Sequence, residues 1–116
     1  MDESTYYGTL NSYQKKARQT AVYPNVGVNL YYPVLGLSSE AGEVADILKK
    51  IIRDHEGLLS NGDKIKFMNE LGDCLWYIAC ICSELDVSFG DVARMNLEKL
   101  RLRKSNNTLH GSGDSR

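Results

Sequence analysis

The chain has 116 residues, 42% hydrophobic and 25% charged, with a formal net charge of −1, which describes one ordinary domain with a modest core of its own. The charges are mixed in sign and no basic stripe interleaves with aromatics, which argues against a grip on polymeric nucleic acid. No apolar run approaches the roughly 20 residues of a membrane span, and the acidic, polar start MDESTYYGTL does not read as a signal peptide, so a cytoplasmic location without membrane attachment is expected.

Strand-like alternation is absent, and four helical segments read out. The first runs from about Thr9 to Ala21, with Leu10, Tyr13, Ala17 and Ala21 at helical spacing. A loop with Pro24, Asn25, Gly27 and Asn29 follows. The second helix runs from about Pro33, a residue suited to a first turn, to Asp54. HEGLLSNGD is a turn-rich break. The third helix spans about Gly62 to Leu85, and its CLWYIACIC segment is apolar nearly all round, as in a central helix. It carries the three cysteines, Cys74, Cys80 and Cys82. Their odd number and their spacing fit buried reduced thiols rather than a disulfide framework or a zinc site. The fourth helix follows Ser88, where SFGD offers a variant capping box, and ends near Lys104. The expected fold is all-α: a four-helix, bundle-like subunit built on a central helical hairpin and completed by oligomerisation. Residues 1–104 form its single domain. Residues 105–116 are a polar, Gly/Ser-rich tail whose composition reads as mobile.

The second and third helices carry the chemistry. Leu37, Ala41, Val44, Leu48 and Ile51 share one face of the second, with Glu40 and Glu43 on its shoulder. Phe67, Leu71, Cys74, Ile78, Ile81 and Leu85 share a face of the third, with Glu70 and Asp73 on the matching shoulder. In an antiparallel hairpin the two acid pairs differ in height by roughly 5 Å, about one turn, so all four carboxylates can converge. One acid pair on a helix is ordinarily a solvated surface pair. Two pairs at matching shoulders and heights repel one another unless something positive sits between them. Oxygen-only ligands suit a hard cation, Mg²⁺ best and Mn²⁺ also. A di-iron site wants Glu-x-x-His, and His55 and His110 stand outside both pairs. The small neighbours Ala41, Gly42 and Gly72 are expected to let the helices approach and leave room for metal, water and ligand.

GLSSEAGEVADILKK followed by NELGDCLWYIA resembles the MazG-like family of all-α nucleoside triphosphate pyrophosphohydrolases, over about residues 30 to 104. The family's ExxE and ExxD pattern is met by Glu40, Glu43, Glu70 and Asp73. The resemblance implies a Mg²⁺-dependent enzyme that cleaves a (deoxy)nucleoside triphosphate between its α- and β-phosphates, with clearance of damaged or unwanted nucleotides as an expected purpose. It also implies a homodimer or homotetramer. Lys66, Lys99 and Arg103 match basic residues that the family uses on the phosphates, and Asn96 shares the stripe of Lys99 and Arg103. Tyr77 lines the nucleoside pocket or is a packed interface tyrosine; Trp76 packs against another helix or subunit. Where the family often has Tyr-Pro after the fourth-helix Arg, this chain has RKSNN. Its tail either hangs free or folds over phosphates through backbone N–H groups. Two other readings stay open: a nucleotide- or metal-binding regulatory module with little turnover, and a structural helical oligomer whose acids pair with lysines. One of the glutamates, Glu43 for example, is expected to orient or deprotonate the water, and the sequence does not choose among them.

Overall fold

The structure, a computed structural model, describes residues 9–116, so most of the acidic start lies outside the described residues. Among these residues there are four helices and no strand: α1 Leu10–Arg18, α2 Tyr31–His55, α3 Asn61–Glu84 and α4 Phe89–Ser105. Helices α2 and α3 form the expected hairpin. Helix α1 lies against α3 and α4, so α3 touches every other helix. None of the described helices is long and apolar enough to cross a membrane.

The helix ends show local causes. Helix α1 stops at Arg18, short of Ala21, because the chain tightens there: the Thr20 hydroxyl donates to the Ala17 carbonyl at 2.7 Å. Helix α2 begins at Tyr31, ahead of Pro33, because the Asn29 side-chain oxygen accepts the Tyr32 N–H at 3.1 Å. Pro33 then sits in the first turn, where no N–H is needed. The full capping box belongs to α3. The Asp63 N–H donates to Ser60 Oγ at 3.1 Å, and the Ser60 N–H to Asp63 Oδ2 at 2.9 Å. At Ser88 only one half forms, from the Asp91 N–H at 2.9 Å. Helix α4 ends in a Schellman motif. Asn107 is left-handed (φ 56°), and the Thr108 N–H reaches the Arg103 carbonyl at 2.7 Å.

The core lies where α1 crosses the second half of α3. Ala17, Ala79, Cys82 and Phe89 are buried there, packed by Leu10, Tyr13, Leu75, Trp76 and Ile78. The faces expected from periodicity are only partly covered: Leu71 remains 54% exposed and Leu48 46%. Ala79 and Cys82 are buried in the cluster they share with Ala17 of α1 and Phe89, and Cys80 is buried as well. Burial pushes the Cys80 thiol up to about 11, which keeps it protonated.

One acid ties these parts together, and the sequence reading passed over it. The Glu84 side chain, 1% exposed, accepts from Arg18 at 2.7 Å, from the Tyr23 hydroxyl at 2.6 Å, and from the N–H groups of Gly27 and Asn29 at 2.8 Å each. Burial works to raise its carboxyl; the Tyr23 and Arg18 bonds, helped by both backbone N–H groups, overcome that and hold it at about 2. A depressed carboxyl stabilises the fold above its ordinary value of 4.5, and that contribution is lost as pH falls towards about 2. Glu84→Gln is therefore expected to lower the unfolding free energy near pH 7 by about 2–3 kcal/mol. In denaturant titrations, the gap between wild type and variant should narrow as the pH drops through that window. An unchanged gap at low pH would refute the electrostatic account.

Candidate functional site

The register of the α2–α3 hairpin is set by one close approach. The Tyr77 ring lies so near Gly36 that a Cβ there would overlap it. One turn onward in α2 is Glu40, and one turn back in α3 is Asp73, so antiparallel packing brings these two to the next level. Carboxylate oxygens of Glu40, Glu70 and Asp73 all lie within 4.8 Å of one another. Glu43 stands outside this trio. With Glu70 and Lys66 it lines an adjoining cavity of about 420 Å³, whose wall also carries Asp46, Lys50 and Asn69.

The cluster is electrostatically uncomfortable. The Glu40 carboxyl is raised by its hydrogen bond with Glu70, by burial, and by the charges of Asp73, Glu70 and Glu43. Glu70 Oε2 is buried and has no hydrogen-bond partner. The Cys74 thiol is pushed up by burial and by the charges of Glu40, Asp73 and Glu70, which places it beside the cluster. An oxygen-only donor set with one orphaned buried oxygen fits a hard divalent cation.

The expected roles of Gly42 and Gly72 need correction. A Cβ at either would meet nothing within 4 Å, because both face away from the hairpin seam, and the close approach belongs to Gly36. Tyr77 is packed within the hairpin. It packs between Gly36 and Tyr32, and burial, then Tyr32, then the Glu40 charge push its hydroxyl up, so it also borders the cluster. Trp76 turns to the other side and donates to Thr20 Oγ1 at 2.7 Å.

The basic stripe is not brought to the acids within one chain. Helix α4 packs against α1 and α3 but not against α2. Asn96 is exposed on it. Lys99 Nζ and Arg103 Nη2 bind the Asp114 carboxylate at 2.8 and 3.1 Å. The tail is thus folded against α4 rather than hanging free, because these two bases supply it with a partner. Sequence reasoning also missed Asp46, Lys50 and Asn69. Asp46 follows Glu43 by one turn and draws Lys49 and Lys50 to 2.8 and 2.7 Å. That spacing was the available signal.

The sequence matches the MazG nucleotide pyrophosphohydrolase domain over residues 33–108, well over half of the chain. The chain therefore belongs to the MazG nucleotide pyrophosphohydrolase family, all-α proteins that typically depend on a metal ion. It is similar to the Gene 37 protein of Mycobacterium phage L5, with 41% identity over 109 residues, covering 90% of this chain and 96% of that protein. No solved structure matches it significantly.

The raised Glu40 carboxyl has a consequence for the metal-free protein. A raised carboxyl favours folding below the ordinary carboxylate range, and that contribution is lost as pH rises through its elevated value. Without metal at pH 7, Glu40→Gln is expected to melt higher than wild type, and the gain should vanish below about pH 4. Thermal scans across pH check this. A variant that melts lower at pH 7 would mean that the acids are already neutralised by the chain itself.

Proposed function

We propose that the protein hydrolyses a nucleoside or deoxynucleoside triphosphate to the monophosphate and pyrophosphate, using Mg²⁺, or Mn²⁺ in its place, held by Glu40, Glu43, Glu70 and Asp73. The observation that carries this reading is the convergence of Glu40, Glu70 and Asp73 within 4.8 Å around an unpartnered Glu70 oxygen, in a chain of this family. The bound ion supplies Lewis acidity towards phosphate oxygens and water. The rest belongs to the chain. Glu43, on the cavity wall beside Glu70, orients the attacking water and takes its proton. The water oxygen bonds to the α-phosphorus as the bridging bond to the β-phosphate breaks, and pyrophosphate leaves. Lys66, on the same wall, offsets charge on the phosphates. Tyr77 borders the nucleoside.

A second copy completes the site in this reading. The radius of gyration is 17.1 Å, against about 13 Å for a compact chain of this length. Apolar side chains on the hairpin stand in the open, among them Met68 at 69% and Ile52 at 60% exposed. Such surface is ordinarily covered. Helix α4 does not reach α2 of its own chain and its Lys99 and Arg103 are paired with Asp114, so in this reading Asn96, Lys99 and Arg103 serve the carboxylate cluster of a second copy. The single domain of residues 1–104 is then half of a larger unit. The buried thiols suit a reducing, cytoplasmic setting.

Pyrophosphate release from a panel of canonical and modified triphosphates tests the reaction and names its substrate. Glu43→Gln or Asp73→Asn should lower kcat by about 100-fold or more with the melting transition intact. A folded variant with full activity would remove that residue from the mechanism. Binding without release under single-turnover conditions would favour a regulatory module. Light scattering should return two or four times the 13.0 kDa chain mass. A monomer at micromolar concentration would refute the shared site.

A further inference from the structure

The C-terminal tail ends in a closed loop. Arg116 donates to three of the tail's own carbonyls: Thr108 at 2.8 Å, Leu109 at 2.9 Å and Gly113 at 2.6 Å. Its guanidinium is therefore spent inside the tail rather than offered to a ligand. The loop hinges on left-handed Asn107 and turns again at Gly113, φ +83°. What it presents to α4 is Asp114. The carboxylate sits on Lys99 at 2.8 Å and on Arg103 at 3.1 Å, and the Asp114 carbonyl also accepts from Arg103 at 2.7 Å.

The seat beneath Asp114 is more strongly built than its occupant. The Arg103 side chain is only 7% exposed, whereas that of Asp114 is 85% exposed. One carboxylate faces two cations, and among the described residues it is the one acid paired with either. Both Asp114 bonds to Arg103 fall on Nη2, while Arg103 Nε is buried and has no partner. A guanidinium edge left half-filled wants an anion with more acceptor oxygens, and a phosphoryl group engages Nε and Nη together. Ion pairs as exposed as that of Asp114 are weak and readily exchanged.

We infer that Asp114 is an internal stand-in for a phosphoryl group: the tail occupies the Lys99–Arg103 seat until the phosphate chain of the nucleotide, or free pyrophosphate, displaces it. This deepens the proposed function and rests on its assignment of Lys99 and Arg103 to phosphate. The tail then sets a threshold for phosphate binding, and the seat accepts ligand only when the closed loop swings out about Asn107.

Calorimetry of the full chain with inorganic pyrophosphate tests it, beside turnover. Asp114→Ala removes an exposed side chain. It should bind pyrophosphate about tenfold more tightly, a gain of about 1.4 kcal/mol, and lower KM with kcat unchanged. Asp114→Glu should restore wild-type behaviour. Lys99→Gln should weaken pyrophosphate binding whether or not Asp114 is present. Added pyrophosphate should also shift the amide signals of residues 109–116 to those of a released tail. Unchanged or weaker binding by Asp114→Ala would overturn the inference, as would a Lys99→Gln variant that binds normally. Tighter binding by Asp114→Ala with no turnover of any triphosphate would leave the seat standing and remove the proposed reaction.

Discussion

The fold hangs on a buried carboxylate separate from the cluster of Glu40, Glu70 and Asp73. Glu84 closes the last turn of α3 and gathers four donors from α1 and the loop that follows it. In the loop carrying Gly27 and Asn29, Tyr23 is buried but Val22 and Val28 stay 90% and 87% exposed, so apolar burial alone holds little of it. It needs a charge-assisted anchor, and fixed N–H donors around an ionised carboxylate supply one. The consequence runs onward along the chain. Asn29 is held through its N–H, its side-chain oxygen caps the Tyr32 N–H, and α2 starts there. From that start, Gly36 falls opposite Tyr77 and Glu40 falls one turn further on. The convergence of acids depends on a register that is pinned at the other end of the hairpin.

The two groups of acids illustrate opposite uses of the same residue type. Glu84 is saturated with donors and its carboxyl is driven down. Glu40 faces other acids and its carboxyl is driven up. The first arrangement stabilises the folded chain by itself. The second opposes folding, and Glu70 keeps an oxygen without a partner. Local conflict of this kind, inside a chain otherwise consistent in capping and packing, is expected where function is located.

The helices and the acid pairs were legible because both are periodic: apolar spacing and carboxylate spacing each report directly on a helical face. The capping box at Ser60 and Asp63 is also a local pattern of three-residue spacing, yet sequence reasoning places a box at Ser88 instead, where only one half forms. Glu84 was not legible, because its donors lie 55 to 66 residues away in sequence. Nothing local distinguishes it from a solvated glutamate near a helix end. The glycines show the same limit. Gly42 and Gly72 stand beside the motif yet meet open space, whereas Gly36, a turn earlier, is the one that Tyr77 requires. A close approach is a property of two elements, and single-chain periodicity sees one at a time.

The position of α4 follows from the same reasoning. Helix α3 is apolar around most of its second half, and a helix of that kind must be covered on several sides. Helix α1 and its loop take one side and α2 another. The short turn at Leu85–Ser88 then lets α4 leave α3 early, with Phe89 as its main anchor in the core. Beyond Phe89 the helix has few apolar partners in its own chain, and Met95, Leu97 and Leu102 are exposed along it. Arg103 is nevertheless buried, and what buries it is the tail. A helix that diverges from its bundle has no apolar surface of its own to shelter a guanidinium. The chain supplies the shelter by folding its last residues back, and Asp114 comes with them as the counter-ion.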